Sequence, residues 1–420
     1  MNKELRRHAD CIVSEAIRAV QPDTAVVRAL REHPLSGRIT MVAVGKAAWR
    51  MAKAARDFLG DGIAQGIVLT KYGHVQAELP GIVCCEGGHP VPDEASFAGT
   101  QWALGMVQGL TARDTVLFLL SGGGSALFEK PLIPPDELQD ITRQLLACGA
   151  DIVEINTIRK RLSAVKGGKF AQLCVPASVF AIVLSDILGD PLDMIASGPA
   201  FPDSSTCAQA EQIARKYGLR LSQAARHALR VETPKALDNV TSCINGSVRE
   251  LCAAAAGACR SLGYEPVILT DQLCCQAREA GSFLASMVRT HLADGRSQAF
   301  IAGGETVVRL TGKGLGGRNQ ELALAAAPGI AGSRNAAVFS VGSDGTDGPT
   351  DAAGGYVDGD TLAELTAAGK TVDGVLSDND AYHALQITGG LVMTGPTGTN
   401  VNDVAVALIR CACPAPRRVV

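Results

Sequence analysis

Aromatic residues make up only 4% of this 420-residue chain, and no run of like charge stands out. With 39 basic and 42 acidic residues the net charge is −3, so neither nucleic acid nor an anionic membrane surface is expected as a partner. No apolar run reaches the roughly 18 residues of a membrane span. The first twenty residues, MNKELRRHADCIVSEAIRAV, lack the unbroken apolar core of a signal peptide and instead place Ile12, Val13, Ala16, Ile17 and Val20 at helical spacing. Metal and thiol signatures are missing too: there is no C-x-x-C and no H-E-x-x-H. The 13 cysteines are an odd number, scattered singly or as the neighbours Cys84-Cys85 and Cys274-Cys275, with Cys411-x-Cys413 alone near a Pro-rich end. A soluble, cytoplasmic protein with free thiols is the expectation. G-x-x-x-x-G-K-[ST] is also absent, which excludes a Walker A phosphate loop.

What the chain does contain is Ala, Val, Leu and Ile in short apolar runs. RITMVAVG (38–45), QGIVLT (65–70), GIVCCEGG (81–88), DTVLFLLSGGG (114–124) and SVFAIVLSD (178–186) read as buried parallel strands. Helical patterns rich in Ala, Leu and charge separate most of them, which implies a doubly wound α/β sheet covered on both faces. A second set follows: TSCIN (241–245), EPVILTD (265–271), QAFIAGG (298–304), TVVRLTG (306–312), NAAVFSVGSDG (335–345) and GLVMTGPTGTN (390–400), with a helix over 246–263. The aperiodic segment RVETPKALDNV (230–240) marks a domain boundary, giving α/β domains over 1–235 and 236–420.

Ligands of open parallel sheets bind at the carboxyl ends of strands. Small, charged or hydroxylic residues collect there: Gly45-Lys46, Glu86 to His89, Ser121 to Ser125, Ser185-Asp186, Gly303 to Glu305, and Gly342 to Asp344. The loop Ser121, Gly122, Gly123, Gly124, Ser125 is the most pointed. Without Cβ atoms, successive N–H groups can face one anion, and a following helix start adds its dipole. A phosphate cradle is expected. A second glycine cluster, Gly312, Gly314 and Gly317, spells G-x-G-x-x-G between a strand and a helix, which could serve a dinucleotide. Against that stand the cations Lys313 and Arg318 in the loop, and the lack of an acid about 20 residues on for a ribose. Arg318 opens the helix RNQELALAAA, a poor place for a cation, so it is expected to face a ligand.

Asn156, Arg159, Lys160, Ser163 and Lys166 recur every three or four residues in NTIRKRLSAVKGGK. They form a basic helical face, either solvated or neutralising a nucleotide tail. Asp186, Glu305, Asp344, Asp347 and Asp351 are the acids at strand ends. GSDGTDGPTD lacks the ligand spacing and closing Glu of a calcium loop; a carboxylate there suits Mg²⁺ shared with water and phosphate. Asp186 is the first candidate for metal ligation or for accepting a hydroxyl proton, and Asp344 the second. His89 is expected to be a structural donor beside its loop.

Together VGKAA, EGGHPVPDE, SGGGSAL, NTIRKRLSAVKGGK, SDILGDP, ASGP, GGETVVRLTGKGLGGRNQELALA, GSDGTDGPTDAAGGYVD and TGPTGTNVNDV resemble, in order and over nearly the whole chain, the glycerate 2-kinase family. Its members often carry the name hydroxypyruvate reductase. The resemblance implies a Rossmann-like N-terminal domain, a smaller α/β C-terminal domain and an active site in the cleft between them. It also implies ATP- and Mg²⁺-dependent phosphorylation of D-glycerate at the 2-hydroxyl. Lys46 and Arg318 match the Lys and Arg of the family's proposed active site. The expected roles are then Lys46, Arg318 and Asp186 in catalysis, Ser121 to Ser125 with Asn156 and Lys166 at the nucleotide, and His89, Arg159 and Glu305 at the substrate. Asp186 and Asp344 would hold the metal. Partners are small molecules, with a second copy of the chain as the oligomer to test. An NAD(P)H-dependent hydroxypyruvate reductase and a non-catalytic sugar-acid-binding protein are the rival classes.

Overall fold

The computed structural model describes residues 1–411; Cys413 and the rest of the Pro-rich end lie outside the described residues. The chain forms two compact α/β units, each built on one six-stranded sheet. One comprises residues 22–185 and 190–245; the other comprises residues 1–21, 186–189 and 246 onward.

The first unit holds β1 (Arg38–Val44), β2 (Ile63–Lys71), β3 (Ile82–Gly87), β4 (Asp114–Leu120), β5 (Ser178–Val183) and β6 (Val240–Ile244). They pair in the order β3-β2-β1-β4-β5-β6, every pair parallel. Parallel strands covered on both faces have no wet side, which is why β1 and β4 read as unbroken apolar runs. Met41, Ala43, Leu117, Leu119, Phe180 and Ile182 pack with Trp49, Ala52 and Ala55 of the helix Ala48–Leu59. Three of the few aromatics, Phe118, Phe128 and Phe170, cluster with ring centres 4.9–6.0 Å apart.

The second unit holds β7 (Glu265–Leu273), β8 (Gln298–Gly304), β9 (Ala336–Gly342), β10 (Gly354–Asp358), β11 (Leu391–Val392) and β12 (Asp403–Ile409). The order is β11-β10-β9-β12-β8-β7, with β7–β8 parallel and the other pairs antiparallel. Period-two alternation sends Val404, Val406 and Leu408 to one face, against the helices Lys3–Ala19 and Val248–Ser261. Ala405, Ala407 and Ile409 go to the other, against Ala277–His291 and Arg318–Ile330. Those two helices touch closely: a Cβ on Gly281 would lie 2.0 Å from the Leu322 carbonyl oxygen.

Several elements differ from the sequence reading. TSCIN pairs with β5 and belongs to the first sheet, so that unit runs to residue 245 while the helix Lys3–Ala19 goes to the second. TVVRLTG forms no strand, leaving Val307 and Leu310 exposed. Its Val307 amide donates to the Cys275 carbonyl, and those of Thr311 and Gly312 donate to Asn379 Oδ1. Of GLVMTGPTGTN only Leu391–Val392 is extended. The fully buried β12 and β10 were unrecognised in the sequence.

The basic face of the helix Ile152–Leu162 is not solvated. Lys160 is buried between Asp193 and Asp203, 3.1 Å from each, and Arg161 is buried between Asp203 and Glu232. Asp203 also accepts from Thr233 at 2.7 Å. Asp203→Ala would leave both cations short of their innermost counter-charge, so the first unit should lose about 3–5 kcal/mol of stability. Urea unfolding checks this, and an unchanged midpoint would show that Asp193 and Glu232 suffice.

Candidate active site

In the first unit the strand order reverses between β1 and β4, the point at which neighbouring loops leave in opposite directions and open a ligand site. There the two loops lock together backbone to backbone. The Ser121 amide donates to the Val44 carbonyl at 2.9 Å and the Lys46 amide to the Gly122 carbonyl at 2.9 Å. The Ser121 hydroxyl accepts from the Ala47 amide at 3.1 Å and donates to the Val44 carbonyl at 3.3 Å. Ser121 is therefore a buried staple between loops, and the phosphate-binding capacity of Ser121–Ser125 rests on its amides. Gly45 must be glycine, because its φ is +117° and a Cβ there would overlap Ser121.

Gly123 (φ +86°) brings Lys46 and His89 together: a Cβ would lie 3.0 Å from His89 Cδ2 and 3.2 Å from Lys46 Cγ. Lys46 is exposed. Burial first, then the Lys46 and Lys71 charges, hold the His89 ring below its ordinary value, so it is a neutral imidazole at pH 7. Arg159 joins the group by donating from Nη2 to the Ser125 carbonyl at 3.2 Å. The helix after the loop is a single turn, Gly124–Leu127, so the expected dipole contribution is small.

Lys166 is elsewhere. It is fully buried and paired with the equally buried Glu129. Burial, opposed by Glu129, brings its ammonium down to about 8. The charge expected to meet a nucleotide balances Glu129 instead. Asn156 is also buried, its Oδ1 accepting from the Ser197 hydroxyl at 2.9 Å. Asp186 lies just past β5 and is grouped with the second unit.

The second unit has a cavity of about 900 Å³ lined by Glu305, Arg318, Asp344, Asp347, Cys274 and the 312–317 loop, among others. Arg318 is gripped by a fork: Nε lies 2.6 Å from Asp403 Oδ2 and Nη2 3.1 Å from Oδ1. Its third arm, Nη1, donates to the exposed Glu305 carboxylate at 2.8 Å. Burial pulls the guanidinium down, but the Asp403 and Glu305 charges outweigh it and hold it above its ordinary value. The poor electrostatics of a cation at a helix start are thus offset by two acids. A third, the buried Asp347, takes the helix amides themselves: Asn319 N at 3.1 Å and Gln320 N at 2.8 Å. Gly317 makes room, since a Cβ there would meet Asp347 at 2.2 Å. Asp344 lines the cavity, its Oδ1 accepting from the Thr346 amide at 3.0 Å.

The G-x-G-x-x-G loop is no dinucleotide cradle. The amides of Thr311 and Gly312 donate to Asn379 Oδ1, that of Lys313 to Asp378 Oδ1, that of Gly314 to the Asp378 carbonyl, and that of Leu315 to Asp380 Oδ1. Those five amides are therefore not free to face a pyrophosphate. Asp403 and Ser197 were not singled out in the sequence. The signal for Asp403 was an acid heading the alternating run DVAVALI.

The chain matches the family model described as a domain of unknown function (DUF4147) over residues 8–230, and that of the MOFRL family over residues 298–403. A D-glycerate 2-kinase of Thermotoga maritima is 50% identical, the match covering 97% of this chain and 99% of the relative. A glycerate 2-kinase of Pyrococcus horikoshii is 39% identical over 95% and 96% of the two chains. A protein of Agrobacterium vitis bearing a hydroxypyruvate reductase name is 39% identical over 96% and 94%. The crystal structure of a glycerate kinase from Thermotoga maritima superposes with a TM-score of 0.94, at 50% identity, covering 97% of this chain and all of that one.

Burial pushes the Asp347 carboxyl up to about 7, against the pull of the Gln320 and Asn319 amides. An acid that holds its proton more tightly when folded favours folding fully below its unfolded value of about 4. That share is lost as the pH rises through about 7. Asp347→Asn cannot titrate, so its melting temperature minus that of the parent should increase between about pH 4 and pH 7. A difference flat in pH would mean that Asp347 is ionised throughout.

Proposed function

The chain belongs to the glycerate kinase family, and on that premise we propose that it is a D-glycerate 2-kinase, converting D-glycerate and ATP to 2-phosphoglycerate and ADP. The observation that carries the reading is the near full-length likeness, at 50% identity, to a D-glycerate 2-kinase. The occupied amides of the 311–315 stretch speak against the reductase alternative. The wholly parallel order 3-2-1-4-5-6 supports a Rossmann-like description of the first unit. Among the described residues no helix is long and apolar enough to cross a membrane, in keeping with the proposed cytoplasmic setting.

Phosphoryl transfer asks for positioning and charge neutralisation more than covalent chemistry. The amides of Ser121–Ser125 are proposed to hold ATP phosphates, supported by the close approach of Gly123 to Lys46 and His89. Lys46, exposed and without a rigid fork, suits the moving γ-phosphoryl. His89, neutral, is a donor at the same loop, and Arg159 fixes the loop through Ser125. Arg318 is proposed to clamp the glycerate carboxylate with Nη1, which the substrate would take over from the exposed Glu305. Asp403 keeps the guanidinium from turning. Asp186 is proposed to accept the hydroxyl proton or to hold Mg²⁺, with Asp344 sharing the second role. Among the described residues no three such side chains converge on a metal, which fits a cation held by one or two carboxylates plus phosphate and water. When bound, Mg²⁺ would neutralise charge on the phosphates.

If Lys46 meets charge that develops in the transition state, Lys46→Ala should lower kcat by about 10² or more and change KM for ATP far less. A change confined to KM would reduce Lys46 to a binding residue.

The carboxylate clamp also fixes regiochemistry. The 2-hydroxyl sits on the carbon next to the carboxylate and is held at a set distance from it. The 3-hydroxyl hangs on one more rotatable bond, and a misplacement of about 1 Å can cost about 10²-fold. Enolase added to the reaction should therefore yield phosphoenolpyruvate without a phosphoglycerate mutase. A strict need for the mutase would show that 3-phosphoglycerate is made, and NADPH oxidation by hydroxypyruvate without ATP would restore the reductase.

A further inference from the structure

Behind the glycine loop the chain holds three consecutive residues with positive φ: Ala196 (+50°), Ser197 (+62°) and Gly198 (+62°). Two carry side chains, which rarely adopt this conformation, and such clusters persist only where surrounding structure holds them. Gly124 leaves room for the turn, since a Cβ there would lie 2.6 Å from Ala196 Cβ. The turn is anchored by the Gly167 amide on the Ser197 carbonyl at 3.0 Å and the Gly168 amide on the Gly198 carbonyl at 2.7 Å. What it presents is the Ser197 hydroxyl, fully buried, 2.9 Å from Asn156 Oδ1 and 3.0 Å from Ser125 Oγ.

These contacts have a direction. Asn156 Nδ2 faces the Met194 sulfur, which can only accept, so Oδ1 is the atom turned to Ser197. A carbonyl oxygen only accepts; Ser197 must therefore give its single proton to Asn156. With that proton committed, the Ser125–Ser197 hydrogen bond can be made only by the Ser125 proton. Ser125 is partly exposed, and what its hydroxyl offers outward is lone pairs.

We infer that Asn156 and Ser197 are positioning residues that polarise Ser125, making its hydroxyl an electron-pair donor at the glycine loop. Its partner is then a divalent cation accompanying the nucleotide or the hydroxyl of the acceptor substrate, both of which take a lone pair. It is not a phosphate oxygen. The inference rests on the reading that Ser121–Ser125 holds nucleotide phosphates and assigns the one side chain in that loop with an outward role. It also gives Asn156, too buried to meet a nucleotide, its function.

The test uses the full chain, with Mn²⁺ as probe cation and a non-hydrolysable ATP analogue. Bound Mn²⁺ is counted by electron paramagnetic resonance, metal-free analogue binding by calorimetry, and KM for glycerate by the enolase-coupled rate. Ser125→Ala, Ser197→Ala and Ser197→Gly are compared, the last removing the hydroxyl where φ favours glycine; thermal melts confirm folding. Each variant should weaken Mn²⁺ in the ternary complex, or raise KM for glycerate, by about 10-fold, with metal-free analogue binding unchanged. Loss of Mn²⁺ affinity identifies the cation as partner, and loss of glycerate affinity the substrate hydroxyl. Weakened metal-free analogue binding would show that Ser125 donates to phosphate and would overturn the inference. An effect of Ser125→Ala with none from either Ser197 variant overturns the relay but keeps the loop as a ligand site. No effect from Ser125→Ala on any of the three quantities overturns the inference and leaves standing the loop reading, which rests on backbone amides.

Discussion

Two loops that touch main chain to main chain set the terms for the first unit. Because β1 and β4 are neighbours whose chains depart in opposite directions, the turns after them meet at their common end. They do so at Gly45 and across Ser121, whose small hydroxyl bridges the two loops. Close contact at that point forces Gly123 toward Lys46 and His89 and Gly124 toward Ala196. A loop so confined has its main chain fixed by packing from several sides, and preorganised dipoles of that kind are where electrostatic stabilisation draws its strength.

The second unit solves a different problem, that of seating a cation at the start of a helix. Asp347 absorbs the first-turn amides, leaving the helix end less positive, while Asp403 and Glu305 flank Arg318 on its own atoms. The division of labour follows burial. Asp403 is enclosed and fixes the plane of the guanidinium; Glu305 is exposed. A single arginine thus has one partner shut away from solvent and one open to it.

Much of this was legible in the residues. Apolar runs doubly buried in a parallel sheet give strong signals, and all of the first five lie on strands of the first unit. The strand ends themselves were legible for the same reason, since small, polar residues abruptly follow buried ones there, and the candidate residues were chosen from those ends. Less legible was β12, whose alternation in DVAVALI is short and whose neighbours in the sheet are far away in sequence. Burial of charge was misread for NTIRKRLSAVKGGK, because the acids that neutralise it, Glu129, Asp193, Asp203 and Glu232, come from separate segments. The G-x-G-x-x-G spacing likewise says nothing about who takes its amides; Asp378, Asn379 and Asp380 lie more than sixty residues on.

The place of β12 bears on the order in which the molecule can be made. It lies between β9 and β8 in the middle of its sheet, yet it is the last strand in the described chain. During synthesis β8 and β9 leave the ribosome with facing edges unsatisfied, and the helix Lys3–Ala19 waits longer still for the sheet it covers. The parallel unit, complete by residue 245, can fold while this happens. Non-local pairing of this kind is slow and leaves open strand edges exposed to association. The interval between emergence of β9 and arrival of β12 is thus when a nascent chain has most need of a chaperone.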